Sequence, residues 1–505
     1  MKRRDFILAG GLAALGATVL LRSAFVHKLN SKESNMSEVI KSFGVTEDDL
    51  KKVIAEALSK GGSYADLYFE NTLINNLSLR DGAVNRTTSD VDYGMGVRVL
   101  SGDRTGYAYT EIITLEEMLK AAKTAASIAN TTANAPSVNI HKETHKNYYQ
   151  VANGWEDAVI KDKVPYIQKL NDRIFELDKN VSKVNVSLSD STSYIMIFTS
   201  EGKLCCDYRP LVSLSASCVM EKEGKIESGR AAQSFRMGAE FLTNDVVETL
   251  AQSVVKQTAL MFEAVTPKGG EMPVVMAAGG SGILLHEAIG HSFEADFNRK
   301  EVSIFSDKFG KQICDKSINV VDDGTISANR GAINFDDEGN ESQKTYIVHE
   351  GKLSSYIHDR ISADYYKVKP TGNGRRESFR YAPIPRMRIT YMENGTIPES
   401  DIIASVKNGV YVDNFSNGQV QIGAGDFTFF VKSGYLIENG KLTQPIKDIN
   451  IIGNGPKALA DITMIGNNLE IDQSTWTCGK DGQGVPVSHG LPSVLVKKLT
   501  VGGTV

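Results

Sequence analysis

Cysteine is scarce in this chain, and its placement excludes a disulfide-stabilised fold. The 505 residues include five cysteines, an odd number at irregular spacing: Cys205, Cys206, Cys218, Cys314 and Cys478. A disulfide framework normally shows an even number of cysteines in a short chain. Cys205 and Cys206 are neighbours, so they would form a bridge only with strain. We therefore expect the first four cysteines to be small buried side chains.

The chain also lacks an excess of basic charge. It has 56 Lys and Arg against 61 Asp and Glu, and its formal net charge is -5. A nucleic-acid partner is therefore not expected, because such proteins present a basic patch or stripe. The hydrophobic fraction of 41% and the charged fraction of 23% are typical of a globular protein. The length predicts two or three domains.

The N-terminus resembles an export signal. Arg3 and Arg4 precede an apolar run from Phe6 to Leu21. Paired arginines before an apolar segment are typical of a twin-arginine signal. As a helix the run would span about 24 Å, which is shorter than the roughly 30 Å hydrocarbon core of a bilayer. We therefore expect residues 1–35 to be a twin-arginine-type export signal and linker. The protein would then be periplasmic, or anchored in the membrane and facing the periplasm.

Helix and strand patterns divide the remaining chain into three expected regions. Residues 36–150 and 151–265 each combine helical and alternating strand patterns, which predicts two α/β subdomains. The first helix is well signalled, because Thr46 and Asp49 can form a capping box before apolar residues at helical spacing.

Residues 266–505 are rich in strand patterns and glycine. Strong helical signals are expected there only around His286 and near Glu399 to Lys407. The predicted fold class is therefore α+β. It has an N-terminal α/β region of two subdomains and a β-rich, barrel-like or sandwich-like C-terminal domain that carries a helix with the motif described next.

Two histidines flank a glutamate in an apolar segment that follows a predicted strand. They are His286, Glu287 and His291, in a chain with eight histidines. Imidazole is a common metal ligand, and an adjacent carboxylate can activate a metal-bound water. The pattern predicts a metal-dependent hydrolase. Two other interpretations stay open: core histidines on a buried helix, or a phosphate-binding loop at Gly279–Gly282, which lacks the Lys-Ser/Thr pair of a P-loop.

The spacing of the two histidines does not fit a regular helix. They are five positions apart, so an α-helix would separate their side chains by roughly 140° and both could not bind one ion. Gly290 directly precedes His291. We therefore predict a π-bulge or a helix break at this glycine, a distortion often found at functional sites.

A catalytic zinc needs a third protein ligand. The residues alone leave six candidates: Glu294, Asp296, His349, His358, Cys478 and His489. Cys478 lies in a glycine-rich loop beside Lys480, which we expect to favour its thiolate. A thiolate is a soft ligand that suits zinc. Alternatively, Cys478 is a nucleophile with His489 as its base.

The chain resembles the TldD/PmbA metallopeptidases, and specifically their TldD branch. The resemblance runs from about Tyr64 to the C-terminus. The segments that carry it are His286–His291, Glu294–Arg299, Val321–Thr325, Thr371–Ser378, Pro385–Met387, Tyr435–Lys441, Cys478–Gln483 and Leu499–Thr504. The PmbA branch is similar but lacks the metal motif, so the motif here indicates the catalytic branch.

The resemblance implies a zinc ion held by His286, His291 and Cys478, with Glu287 as the base that activates a zinc-bound water. It implies hydrolysis of unfolded or small peptides, bound as an extended strand against a sheet edge. It also implies a homodimer, or a heterodimer with a PmbA-type subunit. Familiar members look cytoplasmic, so a cytoplasmic location is the alternative to export.

Further residues are candidates for binding the substrate. Arg375, Arg376 and Arg380 could stabilise an oxyanion or hold a peptide carboxylate, and the alternative is that they are structural. His489 could donate to the tetrahedral intermediate. Two other function classes stay open, namely a non-catalytic peptide-binding subunit of a TldD/PmbA-like complex and a cysteine hydrolase centred on Cys478 and His489.

Overall fold

The computed structural model describes residues 36–129 and 138–503. The predicted export signal at residues 1–35 lies outside these ranges. Among the helices that are described, none combines the length and the apolar character that crossing a membrane requires.

The N-terminal half is built on one large antiparallel sheet. Its strand order is β3-β2-β1-β5-β6, and both β4 and β7 pair with β6. The strands are β1 Tyr64–Arg80, β2 Ala83–Ser101, β3 Arg104–Thr110, β4 His141–Lys142, β5 Val181–Thr199, β6 Lys203–Lys222 and β7 Lys225–Phe235. Because β1 pairs with β5 from Asp66 to Arg80, the two regions expected as α/β subdomains share a single sheet.

Helices cover this sheet in two groups. They are α1 Met36–Ser42, α2 Glu47–Leu58, α3 Leu115–Ala126, α4 Ile160–Leu177 and α5 Asn244–Leu260, with a 3₁₀ turn at Ala239–Phe241. The predicted capping box of α2 is present, since Thr46 and Asp49 exchange side chain to backbone hydrogen bonds. Helices α1 to α3 cover one hydrophobic cluster, and α4 and α5 cover a second.

The C-terminal half contains two further sheets. The first has the order β11-β10-β9-β14-β23-β20, with β9 Val320–Asp323, β10 Lys344–His349, β11 Lys352–Leu353, β14 Ile389–Met392, β20 Glu470–Ile471 and β23 Ser488–Leu491. The second has the order β15-β8-β24-β18-β16-β17, with β8 Gly270–Met276, β15 Asn408–Val420, β16 Asp426–Glu438, β17 Lys441–Ile446, β18 Asn450–Asn454 and β24 Val494–Gly502, and β19 Ile462–Ile465 pairs with β24.

The second sheet closes on itself. Strand β15 pairs with β8 on one side and with β16 on the other, so five strands form a ring: β15, β8, β24, β18 and β16. The barrel-like prediction for the C-terminal domain and the α+β class are confirmed. Two small hairpins complete this half, β12 Gly374–Arg375 with β13 Ile384–Pro385, and β21 Thr477–Lys480 with β22 Gln483–Pro486.

The helices of the C-terminal half are short, and there are more of them than the sequence patterns indicate. They are α6 Ala295–Arg299, α7 Arg360–Tyr366, α8 Glu399–Ala404 and α9 Gly455–Ala460, with 3₁₀ turns at Gly280–Gly282 and His291–Phe293. Only α8 was expected. The other three have five to seven residues, which is too short for a helical period to repeat.

Buried ion pairs join the two halves. Arg98 of β2 donates to Asp66 at 2.7 Å and to Glu338 of the C-terminal half at 2.7 Å. Arg209 of β6 donates to Asp337 at 2.6 Å. These charges are removed from water, so separating the halves would take the arginine partners away from the buried carboxylates of Glu338 and Asp337.

Candidate metal centre

The motif helix is a π-helix, as the histidine spacing predicts. It spans Leu285–Gly290, and the N–H of His291 donates to the carbonyl of His286 five residues earlier. This i to i+5 bond adds one residue to the turn. It brings both histidines to the same side, with ring centroids 5.2 Å apart. The prediction of a distorted helix is therefore right, and the distortion is what allows a five-residue spacing to build a site.

Gly290 serves this helix through its small size. Its φ of -58° and ψ of -50° are ordinary right-handed helical values, so no special backbone freedom is needed. A Cβ here would lie 2.3 Å from Sδ of Met387 and 3.0 Å from the Leu285 carbonyl oxygen. Glycine is therefore required because Met387 packs directly against the helix.

A hairpin far along the chain brings Cys478, the third candidate ligand, whose donor atom is sulphur. Cys478 lies on β21 opposite Val485 of β22, and the two strands are joined by Asp481 and Gly482. Both turn residues have positive φ, 50° and 72°, as a two-residue hairpin of type I′ requires. Buried Arg386 donates to the carbonyl oxygens of Cys478 and Gln483, which fixes the hairpin in place.

The ligand atoms of His286, His291 and Cys478 lie within 4.8 Å of one another. Sγ of Cys478 is 3.4 Å from Nε2 of His291. All three side chains are buried, with 1%, 7% and 3% of their surfaces exposed. Two imidazoles and one thiol that converge in a buried place form the donor set of a zinc site with a fourth position left for water or substrate.

A buried carboxylate orients one of the two imidazoles. Oε2 of Glu294 is 3.0 Å from Nδ1 of His291 and 3.1 Å from Nζ of Lys480. If Nδ1–H donates to Glu294, Nε2 of His291 keeps its lone pair and faces Cys478. Histidine ligands in metal sites commonly donate their other ring N–H to a carboxylate in this way. Glu294 therefore supports a ligand instead of serving as one.

The charges of this cluster reinforce one another. Burial opposes ionisation of Glu294, but Lys480 and then His291 lower its pKa to about 2. Burial likewise opposes a charge on His291, yet Glu294 and Cys478 raise its pKa well above the usual value. Burial would raise the pKa of the Cys478 thiol, but the two histidines lower it well below the usual value. A thiolate, the form that binds metal, is thus favoured.

The source of this effect differs from the sequence-based expectation. We expected Lys480 to favour the thiolate because it is close to Cys478 in sequence. In a β-strand, however, residues two apart lie on the same face without being in contact. The Lys480 ammonium instead lies 2.7 Å from Asp296 and 3.1 Å from Glu294. It acts on the carboxylates behind His291, and the histidines act on the thiol.

The unpaired ring nitrogens of His286 indicate whether a metal ion fits among these three side chains. Neither ring nitrogen of His286 has a hydrogen-bond partner among the described residues, although the side chain is buried. A buried polar atom without a partner carries a desolvation penalty of about 1–3 kcal/mol. A metal ion at the shared position of the three side chains would pair with one of the two nitrogens and remove its penalty. The donor set and the unpaired nitrogens therefore fit zinc.

Glu287 is placed at the edge of the cluster. Its Oε2 lies 3.9 Å from Nε2 of His291, and its side chain keeps 25% of its surface exposed. The position differs from that of Glu294, which is fully buried between His291 and Lys480. A carboxylate beside the ligand atoms that solvent still reaches can exchange a proton with water in the site.

The other candidate ligands do not join the group. Asp296 accepts from Lys480 at 2.7 Å. His349 is exposed on β10, and His358 is buried against Tyr356 and Tyr366. His489 is buried with its ring 5.3 Å from that of Trp476, and burial lowers its pKa to about 4. Sγ of Cys478 lies 3.4 Å from Nε2 of His291, and no hydrogen bond joins it to His489 among the described residues, so a Cys478–His489 pair lacks the contact that a thiol nucleophile needs.

The three arginines all have protein partners. Arg375 donates to the carbonyl oxygens of Met387 and Pro486. Arg376 donates to Asp66 and to the carbonyl oxygen of Asp337, and Arg380 donates to Asp92 and Glu111. The contacts of Arg376 with Asp66 and of Arg380 with Asp92 and Glu111 join the two halves of the molecule, whereas the contacts of Arg375 lie within the C-terminal half. All three side chains line a cavity of about 350 Å³. Their part in substrate binding stays a prediction.

A larger cavity is lined in part by Trp476, the residue that precedes the Cys478 hairpin. Its volume is about 870 Å³, and its walls include the edge of β7, the Gly279–Gly280 turn and the loop from Glu470 to Trp476. Trp476 is two residues before Cys478, and its ring packs on His489. The cavity thus reaches the hairpin that carries the thiol.

The wall formed by β7 is a strand edge that is only partly occupied by other backbone and side-chain groups. Ser234 N–H donates to Gln473 and the Arg230 carbonyl accepts from Lys432, both on the side away from β6. Because alternate residues present their backbone groups to the same side of a strand, Ala232 presents its N–H and C=O there as well. Among the described strands, β7 pairs only with β6.

Comparisons with known proteins identify the class. Family models for the PmbA/TldA metallopeptidases match residues 65–129 (domain 1), 153–262 (central domain) and 269–503 (C-terminal domain). Together they cover most of the chain that the fold occupies. The chain belongs to the PmbA/TldD family of metallopeptidases.

Curated relatives narrow the similarity to one branch. A metalloprotease TldD homologue from Buchnera aphidicola is 37% identical over 91% of this chain and 97% of its own length. One from Haemophilus influenzae is 39% identical over 87% and 93%. A zinc metalloprotease TldD homologue from Saccharolobus solfataricus is 29% identical over 90% of this chain and its full length.

Solved structures share the fold. A protein described as a modulator of DNA gyrase from Thermotoga maritima matches with a TM-score of 0.73 and 20% identity, over 90% of this chain and 100% of the other. TldE from Thermococcus kodakarensis matches with a TM-score of 0.71 and 18% identity, over 90% and 100%. At these identities the likeness concerns the fold.

Proposed function

We propose that this protein is a zinc-dependent peptidase that hydrolyses unfolded or small peptides. The observation that carries the proposal is the convergence of three ligand atoms within 4.8 Å, with the Glu287 carboxylate 3.9 Å from one of them. Membership of a metallopeptidase family and the name of the Saccharolobus relative support zinc as the metal.

In this proposal His286, His291 and Cys478 hold the ion. Zinc bound there supplies a Lewis acid that polarises a carbonyl oxygen and lowers the pKa of water. Glu294 and Lys480 hold the His291 ring in the orientation that directs Nε2 at the site. The π-helix is buried and Arg386 holds the Cys478 hairpin by two hydrogen bonds, so the donors are positioned before a substrate arrives.

Glu287 performs the proton transfers. Its carboxylate takes a proton from the attacking water and passes that proton to the amine that leaves when the peptide bond breaks. The carboxylate is suited to this role because it lies beside the ligand atoms and remains partly exposed. The buried histidines and the apolar packing of the helix limit the access of bulk water to the same place.

The edge of β7 favours an extended peptide as the substrate. A peptide in the 870 Å³ cavity can pair its backbone with Ala232, as an added strand at an open sheet edge does. Recognition of this kind uses main-chain groups, so it accepts many sequences. A folded protein cannot offer such a strand, which restricts the substrates to unfolded or small peptides.

Replacing Glu287 with Gln tests the mechanism. The variant removes the proton acceptor but no proposed ligand, so we expect peptide hydrolysis to fall by roughly 10²–10⁴-fold while the zinc content is unchanged. Glu116→Gln, at an exposed position on α3, is the matched control and should retain activity. Full activity of the Glu287→Gln enzyme would exclude this mechanism.

Metal analysis separates the remaining function classes. A purified chain that binds zinc and peptides but cleaves none would be the non-catalytic binding subunit. Activity that survives complete removal of metal by a chelator would indicate the thiol mechanism. The zinc peptidase instead loses activity on chelation and regains it when zinc is added.

We also propose a dimer, formed with a second copy or with a PmbA-type subunit. The similarity of the fold to TldE supports a partner of the same architecture. Exposed apolar side chains at Tyr109 and Ile112, 50% and 60% exposed, are available for such a contact. Mass measurement of the purified chain, alone and with a PmbA-type protein, tests this. A chain that stays monomeric in both samples would contradict the proposal.

Export by a twin-arginine-type signal is likewise our proposal, and it rests on Arg3, Arg4 and the apolar run behind them. Replacing both arginines with lysine should leave the protein in the cytoplasm when cells are fractionated. An unchanged distribution would favour the cytoplasmic alternative.

A further inference from the structure

A second cluster of metal-binding side chains lies in the N-terminal half. Strand β4 runs parallel to the start of β6, with His141 opposite Lys203 and Lys142 opposite Leu204. The chain continues in the same direction, since the N–H of Glu143 donates to the carbonyl of Leu204 at 3.0 Å. This register places Glu143 next to Cys205.

The extended chain then adds a histidine to the same face. Residues two apart in an extended segment point to the same side, so His145 follows Glu143 along the surface of Cys205. Nε2 of His145 lies 3.4 Å from Sγ of Cys205. The ligand atoms of Glu143, His145 and Cys205 all lie within 4.8 Å of one another.

The three side chains of this cluster differ in their exposure to solvent. Cys205 is fully buried, whereas Glu143 and His145 are each partly exposed, so an ion and a water molecule can reach the open side. Carboxylates that act on this cluster through space are Asp207, Asp336 and Glu341.

One cation already occupies part of the space. Nζ of Lys203 lies 3.1 Å from the Glu143 carboxylate and donates to the Gly339 carbonyl at 3.0 Å. A metal ion would have to displace this ammonium from Glu143. The flexible lysine stem allows that movement, because Lys203 keeps its second partner and solvent remains near it.

We propose that Glu143, His145 and Cys205 bind a second zinc ion, with water in the fourth position. Nitrogen, sulphur and carboxylate oxygen are all zinc ligands. The thiol releases its proton on binding, as a cysteine ligand must. This site is separate from His286, His291 and Cys478, and it does not depend on the peptidase proposal.

The second zinc would tie together three parts of the chain. Glu143 and His145 lie between the segments that match domain 1 and the central domain of the family, and Cys205 lies on β6 of the large sheet. From the C-terminal half, Phe335 packs on the His145 ring at 4.6 Å, and a Cβ at Gly339 would lie 3.4 Å from Sγ of Cys205. A metal here would therefore stabilise the junction of both halves, which is a structural role.

Metal content of the full-length chain tests the proposal. The variant Cys478→Ser/His291→Ala removes two ligands of the candidate catalytic site and isolates the second site. After dialysis against zinc, we expect about one ion per chain in this variant and about two in the unaltered protein. Adding Cys205→Ser or His145→Ala should remove the remaining ion.

Cys206→Ser is the matched control. Cys206 is the next residue on β6, and it packs against the opposite hydrophobic cluster. This substitution should leave the metal content unchanged. Equal loss from Cys206→Ser and Cys205→Ser, or no zinc in the double variant, would overturn the proposal.

A second experiment replaces zinc with cobalt and measures absorption. It uses the protein with His286, His291 and Cys478 unchanged. Cobalt bound to a thiolate gives a charge-transfer absorption, and two occupied sites each contribute one cysteine. Cys205→Ser alone should therefore halve this absorption, whereas Cys206→Ser should not change it. An absorption that Cys205→Ser leaves at full strength would contradict a second site, and circular dichroism confirms that each variant is folded.

Discussion

Two clusters in this chain each combine imidazole with a thiol, but they are built from different backbone. His286 and His291 come from one π-helix, and Cys478 joins them from a hairpin 187 residues beyond His291. In the N-terminal cluster, Glu143 and His145 come from one extended segment that runs beside the strand of Cys205. The first depends on a distorted helix, and the second depends on ordinary strand geometry.

The surroundings of the two thiols also differ. Two histidines lower the pKa of Cys478 well below its usual value, and buried Glu294 and Lys480 support one of them. Burial instead raises the pKa of Cys205 to about 12. In the C-terminal cluster the thiolate is already favoured and His291 must give up its proton to a metal, whereas in the N-terminal cluster the thiol must lose its proton and the metal must displace Lys203 from Glu143. This contrast is the basis of our proposal that the first cluster carries out chemistry and the second has a structural role.

The largest effect is expected when Cys478 and Cys205 are replaced in turn and the rates of peptide hydrolysis are compared. Cys478→Ser should lower the zinc content and reduce peptide hydrolysis by at least about 100-fold, because a catalytic metal is held less well. Cys205→Ser should keep hydrolysis within about twofold at a temperature where the protein is folded. Rates and zinc content are measured on the same samples. An equal loss in both variants would show that the division of roles is wrong.

A smaller effect is expected from the carboxylate behind His291. Glu294→Gln should weaken zinc binding to the candidate catalytic site by about 10–100-fold, because such supporting carboxylates orient the imidazole. Asp296→Asn is the control, since Asp296 contacts Lys480 but not a histidine ligand. Competition with a zinc-binding dye gives both affinities. If the two variants behave alike, Glu294 does not act through His291.

The smallest effect concerns the packing of the π-helix. Gly290→Ala places a methyl group against Met387 and should destabilise the fold by about 1–3 kcal/mol through overpacking. Met387→Ala combined with Gly290→Ala should recover part of this loss, measured by urea unfolding. Zinc content should fall at the C-terminal cluster only. A fully stable Gly290→Ala protein would show that the helix can move away from Met387.

The sequence predicted the motif and its distortion for a local reason. The separation of His286 and His291 is a property of neighbouring residues, and helix geometry alone shows that five positions need a π-turn. Capping residues such as Thr46 and Asp49 are local as well, and their hydrogen bonds are present. The reason for Gly290 was not local, because its neighbour Met387 is almost one hundred residues away.

The sequence predicted the other residues of the two clusters less well. The residues left Cys478 as one of six candidate ligands, and the family resemblance selected it. Glu294, three residues after His291, was considered as a ligand, but its contact with Lys480 makes it a support. No sequence pattern predicted the cluster of Glu143, His145 and Cys205, because the pairing of β4 with β6 is what brings these residues together. The short helices α6, α7 and α9 were missed because a single turn has no visible period.

The chain by itself determined which chemistry is available: a His-Glu-His segment that must form a distorted helix, a scarce set of thiols and an α+β pattern. Only the tertiary structure decided which thiol meets which imidazole. The physical reason is distance along the chain. Local geometry sets the direction of side chains within a turn or a strand, but the contact between His291 and Cys478, which are 187 residues apart, depends on the pairing of β21 with β22 and on buried Arg386, which holds that hairpin.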